Sequence, residues 1–67
     1  MNKTELEKCI GDVWEPVFIR VRQTFLPITN VLNDKVFVCG TKEPLFGSEV
    51  LEEMSKLNED FEVVIDI

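Results

Sequence analysis

The chain has 67 residues, of which 45% are hydrophobic, and it carries a net charge of −6 with two cysteines and no histidine. This composition predicts one small folded domain and excludes a disordered tail, the common zinc ligand sets and a histidine-activated nucleophile. No apolar run could span a bilayer, the start does not resemble a signal peptide, and two unpatterned cysteines fit a reducing compartment, so we expect a cytoplasmic protein.

The first predicted element is a helix. Thr4 and Glu7 have the spacing of a capping box. An apolar stripe follows at helical spacing, made of Leu6, Cys9, Ile10, Val13 and Trp14. Because Pro16 disfavours helical geometry at the residue before it, we expect the helix to end near Trp14.

A strand is predicted over residues 17–26, where the apolar period changes to two. One face carries Val17, Ile19, Val21 and Phe25, and the other carries Phe18, Arg20, Arg22 and Thr24. Pro27 must end this strand, bulge it or place it at a sheet edge.

The next strand is predicted over residues 35–39, which are β-branched and aromatic and precede Gly40. Asn33 and Asp34 tolerate positive φ and suit a tight turn. In that case residues 28–32 continue the first strand beyond a kink at Pro27. The alternative is a longer loop across residues 27–34, and we favour the bent hairpin.

The last third of the chain predicts a helix and a strand. Residues 41–47 read as a connector whose Leu45 and Phe46 reach the core, and Ser48 as the N-cap of a second helix. That helix would bury Val50, Leu51, Met54 and Leu57, pair Glu52 with Lys56, and end at Asn58.

The clearest strand pattern closes the chain, where Phe61, Val63, Ile65 and Ile67 alternate with other residues. The predicted order is therefore α-β-β-α-β. It describes an α+β domain over residues 1–67, with a three-stranded sheet and two helices packed on one face.

The net charge is unevenly distributed along the chain. Residues 1–47 carry six acids and six bases, whereas residues 48–67 carry seven acids against Lys56 alone. Such a field repels nucleic acid and anionic membranes and favours a protein partner with a basic surface, although a merely solvated face has the same composition. The predicted docking residues are Glu49, Glu52, Glu53, Glu59 and Asp60, with a second surface at Phe18, Arg20 and Arg22.

No catalytic, cofactor or metal site is predicted. Cys9 and Cys39 are the only thiols, and no histidine can activate either; Cys39, at a strand end, is the more accessible candidate. The three glycines are isolated, so no phosphate-binding loop is present. Carboxylates one turn apart on a wet helix are poorly suited to acid–base chemistry. We therefore expect a protein that is not an enzyme.

The segment from Glu43 to Phe61 resembles the region around the second helix of acyl carrier proteins. In that family a serine at the start of this helix carries phosphopantetheine, so the resemblance implies Ser48 as the modified residue and an all-helical fold. The family's Asp-Ser-Leu is replaced here by Gly47-Ser48-Glu49. The alternating pattern of residues 17–39 also departs from a helical fold.

These observations predict a non-catalytic interaction module, such as a small acidic regulator or inhibitor of phage or accessory type that docks on a basic surface of a larger protein. One variant is a DNA mimic whose carboxylates occupy a nucleic-acid-binding site. A different class is a homodimer or an assembly subunit, because the last strand, with Ile65 and Ile67, presents an unpaired edge. Direct nucleic-acid or membrane binding is not expected.

Overall fold

The computed structural model describes residues 1–66, which contain two helices and four strands in the order α-β-β-β-α-β. The elements are α1 (Lys3–Cys9), β1 (Phe18–Val21), β2 (Thr24–Val31), β3 (Lys35–Val38), α2 (Gly47–Met54) and β4 (Glu62–Ile65). The α+β class is confirmed, and the predicted number of three strands is wrong. No helix within these residues is long and apolar enough to cross a membrane.

The four strands form one sheet in the order β1-β2-β3-β4. The first two pairings are antiparallel, and β3 pairs with β4 in parallel. Because α2 lies between β3 and β4 in the chain, it provides the crossover that a parallel pairing requires.

The additional strand arises from a turn at Arg22 and Gln23, which splits the strand predicted over residues 17–26. Val21 and Thr24 are paired on either side of the turn. Arg22 has φ 58, and positive φ at the first turn position is a geometry that matches the twist of a two-residue hairpin. The Arg20 guanidinium Nε–H donates to the Arg22 carbonyl at 3.2 Å. Glycine or asparagine normally marks such a turn, so the sequence gives no sign of it.

The predicted hairpin, rather than a loop across residues 27–34, is confirmed, but its irregularity lies just after Pro27 and not at it. β2 passes through Pro27, which lies opposite Phe18, and its register with β3 shifts between Ile28 and Asn30. Leu32 N–H donates to the Lys35 carbonyl at 2.8 Å across the turn that contains Asn33 and Asp34. A register shift of this kind bends the strand and increases its local twist.

The core lies between the sheet and the two helices. Leu6 of α1 and Val50 of α2 are fully buried in one cluster with residues from β1, β2 and β3, including Ile19, Ile28, Val36 and Val38. Each helix contributes few core side chains, so most of the apolar contact is made by the strands. Such a core is small, as expected for a chain of this length.

α1 is shorter and begins earlier than predicted. Asn2 is the N-cap: its Oδ1 accepts the Glu5 N–H at 2.9 Å, and the Glu5 carboxylate accepts the Asn2 N–H at 3.3 Å. The helix ends at Cys9, well before Trp14. Asp12 Oδ1 accepts the Trp14 N–H at 3.0 Å, a side-chain turn that competes with helical hydrogen bonding.

α2 also differs from its predicted caps. Phe46 is the N-cap residue, with its N–H bonded to the Glu49 carboxylate at 2.8 Å, so Ser48 is not the cap. The helix ends at Met54, and Lys56 lies beyond it, 3.7 Å from Glu53 rather than paired with Glu52.

The apolar stripe predicted for α2 and the residues after it is confirmed in part. Val50 and Leu57 are buried and Met54 is half-buried, but Leu51 is exposed. Asn58 is not a C-cap; its N–H donates to the Asn33 carbonyl at 2.6 Å. The predicted Ile67 lies outside the described residues.

Candidate protein-interaction surface

One side of the β1-β2 hairpin is an aromatic surface. Opposed residues of antiparallel strands project to the same side, as do residues two apart along a strand. The pairs Phe18–Pro27 and Arg20–Phe25 are opposed within the hairpin, and an isolated bridge sets Pro16 opposite Phe46. We call this set the aromatic face; it comprises Pro16, Phe18, Arg20, Phe25, Pro27 and Phe46.

The start of α2 holds Phe46 in this position. A helix N-terminus leaves backbone N–H groups without intrahelical partners. Here the Gly47 N–H donates to the Glu15 carbonyl at 3.0 Å, and the Ser48 N–H to the Val13 carbonyl at 2.9 Å. The segment before β1 therefore satisfies the helix end and draws Phe46 beside Pro16.

The aromatic side chains of this face are in contact with solvent. Phe18 is 44% exposed, Phe25 66% and Phe46 43%, while Trp14, two residues before Pro16, is 77% exposed. The predictions that placed Trp14, Phe25 and Phe46 in the core are wrong. For Phe25 the reason is the turn at Arg22 and Gln23, which sets Phe25 opposite Arg20 and so on the outer side.

The aromatic face forms one wall of an open groove of about 700 Å³. The end of α1 and the segment that follows it form the other wall. The lining residues are Lys8, Cys9, Gly11, Glu15, Pro16, Phe18, Arg20 and Phe25. Two of the predicted second-surface residues, Phe18 and Arg20, meet here, whereas Arg22 lies in the hairpin turn outside the groove. Burial, and then the negative charge of Glu5, raise the pKa of the Cys9 thiol above its ordinary value.

Three of the predicted acidic residues line a second, smaller groove of about 340 Å³ beside α2. Glu49, Glu52 and Glu53 share it with Asn30, Val31 and Leu45. Glu52 makes no ion pair with any residue of the described chain, in which Lys56–Glu53 and Lys42–Asp66 are the two ion pairs. The acidic groove borders the aromatic face where Glu49 holds the backbone of Phe46.

The other two predicted acids lie elsewhere. The Glu59 carbonyl accepts the Lys3 N–H at 3.1 Å, and Asp60 forms an antiparallel bridge with Asn2. They therefore stand beside the start of α1, not in the groove of α2. The structure brings together three of the five acids and places two at another edge of the molecule.

Cys39 is buried, so the expectation that it is the more accessible thiol is wrong. Its N–H donates to the Pro27 carbonyl at 3.1 Å, which continues the β2-β3 ladder. Its Sγ lies 3.3 Å from Thr41 Oγ1, and this hydrogen bond lowers the pKa of the thiol. Across residues 1–66 no group of three or more cysteine or acidic side chains is arranged to hold a metal ion.

No protein-family model, curated protein or solved structure matches this chain. The resemblance to acyl carrier proteins does not extend to the fold, because β1, β2 and β3 occupy residues that an all-helical carrier fold requires in helices. Ser48 lies exposed in the first turn of α2.

Proposed function

We propose that the protein is a non-catalytic protein-binding module that acts as a small regulator or inhibitor. It docks through the aromatic face on a larger protein whose surface offers an apolar patch bordered by basic residues. The observation that carries this proposal is the exposure of three of the five phenylalanines on one face of a 67-residue chain.

The apolar part of the surface supplies the affinity. Contiguous exposed apolar patches are rare on small monomers, and they mark interaction sites. Aromatic residues and arginine are enriched at the centres of protein interfaces, and fully burying a phenylalanine stabilises a complex by about 1.5–3 kcal/mol. Phe18, Phe25 and Phe46 together therefore provide the hot spot of an interface, with Arg20 as a donor between them.

The acids supply the preference for a basic partner. Glu49 lies at the border of the aromatic face through its bond to Phe46, and Glu15 lines the groove itself. Glu52 and Glu53 extend the negative surface along α2. Like-signed charge around an apolar centre steers association and discriminates against acidic partners.

The proposal is tested by affinity capture from native cells with a tagged chain. The double variant Phe18→Ser/Phe25→Ser removes two aromatic anchors, and Leu32→Ser is the matched control because Leu32 is 49% exposed beside a turn outside the aromatic face. The same protein should be captured by the wild type and by the control but not by the double variant, with native circular dichroism for all three. Equal capture by all three chains would refute the proposal.

A second candidate is docking through the acidic groove alone, which includes mimicry of nucleic-acid phosphates. It is favoured by the three carboxylates of α2 along one groove. In this case Glu52→Lys/Glu53→Lys abolishes capture, the phenylalanine variants retain it, and binding falls steeply between low and moderate salt. The separate position of Glu59 and Asp60 leaves this candidate a smaller charged surface than a five-acid ridge.

A further inference from the structure

We propose that the outer edge of β4 binds an extended segment of a partner protein as an added antiparallel strand, and that this segment carries Lys or Arg at two positions four residues apart. The inference goes beyond the aromatic face, because it concerns a different surface and a different mode of recognition. Strand addition supplies affinity through backbone hydrogen bonds and specificity through alternate side chains.

The backbone of β4 offers hydrogen-bonding groups on its outer side. Glu62 N–H donates to the Asp34 carbonyl and Asp66 N–H to the Val38 carbonyl, both at 2.9 Å, so these residues face β3. Successive residues of a strand turn their backbone groups to opposite sides, and those of Val63 and Ile65 therefore point away from β3. Among the four strands of the described chain, β4 is the last in the sheet and has β3 as its one neighbour.

The same edge already holds a short antiparallel segment. Phe61 N–H donates to the Met1 carbonyl at 3.0 Å, the Met1 ammonium donates to the Phe61 carbonyl at 3.3 Å, and Asn2 bridges Asp60. Phe61 is two residues before Val63 and four before Ile65, so the backbone groups of all three point to the same side of the strand. A guest strand opposite residues 62–66 would continue this ladder in the same direction as Met1 and Asn2.

The side chains of β4 specify the chemistry of the guest. Glu62, Val64 and Asp66 alternate with Val63 and Ile65, so the two sets occupy opposite faces of the sheet. A guest strand antiparallel to β4 then needs cations opposite Glu62 and Asp66 and an apolar or neutral residue opposite Val64. Apolar guest residues on the other face would cover Ile65, which is 43% exposed although its β3 partner Val38 is fully buried.

Charge repulsion also disfavours a second copy of this chain as the strand added to β4. Antiparallel pairing of two β4 strands about Val64 would set Glu62 opposite Asp66, and like charges directly opposite destabilise a sheet. Lys42 contacts Asp66 at 2.9 Å, but both side chains are more than half exposed, so this pair is weak. The negative edge therefore fits a basic segment better than its own sequence.

The test is an NMR titration of the isotope-labelled full chain with the N-acetylated peptide Ser-Lys-Val-Thr-Val-Lys, whose last residue lies opposite Glu62 and therefore stops short of Met1, which pairs with Phe61. The amide resonances of Val63 and Ile65 should shift and their hydrogen exchange should slow. The same peptide with Glu in place of Lys should bind at least about tenfold more weakly, since attraction at both charged positions becomes repulsion. Shifts confined to other surfaces, or equal binding of both peptides, would overturn the proposal.

Variants separate strand addition from simple charge attraction. Ile65→Pro removes an outward N–H and retains the donors that face β3, so the peptide should bind about tenfold or more weakly while the Asp66 amide stays in its native position. Glu62→Lys should also weaken binding, whereas the matched charge reversal Glu52→Lys should not. Phe18→Ser/Phe25→Ser should leave peptide binding unchanged, which distinguishes this site from the aromatic face.

A second probe leaves the protein unaltered. The peptide with N-methyl groups on the amides that would face Val63 and Ile65 retains its charges but cannot donate to the edge. It should not bind. Binding of this peptide at the strength of the unmethylated one would show that no strand is added.

Discussion

Gly47 lies where the first turn of α2 meets the backbone that leads into β1. A Cβ at this position would lie 3.1 Å from the Asp12 carbonyl oxygen and 3.1 Å from the Val13 Cα. Both atoms belong to the backbone, so neither can move aside as a flexible side chain does. Glycine is therefore favoured here by the close approach of this backbone, and no positive φ is involved.

We expect Gly47→Ala to lower the free energy of unfolding by about 1–3 kcal/mol through overpacking. The measurement is urea denaturation followed by circular dichroism. Gly40→Ala is the control, because a Cβ there meets nothing within 4 Å. It should leave stability unchanged or raise it by up to about 1 kcal/mol. Equal loss in both variants would contradict the packing at Gly47.

The two thiols are expected to ionise in a definite order. The hydrogen bond with Thr41 lowers the pKa of Cys39, and burial raises the pKa of Cys9. With single-thiol variants Cys9→Ser and Cys39→Ser, the ultraviolet absorbance of the thiolate should rise at lower pH for Cys39. Thr41→Val should move the Cys39 transition to higher pH. The reverse order of ionisation would show that the Thr41 contact is absent in solution.

At the scale of elements, the hairpin between β1 and β2 places Phe25 on the outer side of the sheet, opposite Arg20. Its turn places a non-glycine residue, Arg22, at φ 58. A left-handed conformation costs an ordinary residue about 1–2 kcal/mol relative to glycine. The backbone is therefore strained at Arg22, in the turn that gives the aromatic face its arrangement.

Arg22→Gly should raise the free energy of unfolding by up to about 1 kcal/mol, because relief of the strain exceeds the added entropy of the unfolded chain. Gln23→Gly is the matched control, since no positive φ is required there, and it should lower stability. Thermal and urea unfolding give both values. A loss of stability in Arg22→Gly would mean that the turn has another geometry.

The elements that could be predicted are those whose signal is local. The strand around Val36 and the alternating pattern near Val63 are found from apolar periodicity, and so is the buried side of α2 at Val50. The turn at Arg22 could not be found, because its residues are not those that favour positive φ. The end of α1 was missed because Asp12 offers the backbone an alternative hydrogen bond.

The candidate site was predicted only in part for the same reasons. The alternating pattern predicts Phe18 and Arg20 on one face of a strand, and both lie on the aromatic face. The position of Phe25 depends on the hairpin turn, and that of Phe46 depends on the contact between α2 and the segment before Pro16. Neither feature produces a periodic pattern of apolar residues in the sequence. Glu59 and Asp60 are close to the other acids in sequence, but the chain reverses after α2 and carries them to the start of α1.

At the scale of the whole molecule, the small core limits the stability of the fold, and the exposed aromatic face offers a way to increase it. A chain of 67 residues buries roughly 60% of its unfolded surface, so its stability is marginal. A partner that covers Phe18, Phe25 and Phe46 also stabilises the folded state, because any ligand that binds only the native form does so. If the aromatic face binds a partner as proposed, the folded chain should therefore unfold at a higher temperature in the complex than alone.

The most direct test of the central claim is NMR mapping of the labelled chain in complex with the captured partner. Residues 16–20, 25 and 46 should show the largest shifts and the slowest amide exchange, with smaller changes at Glu49. A contact region that leaves Phe18 and Phe25 unchanged and falls entirely on other surfaces would contradict the assignment of the aromatic face as the docking surface.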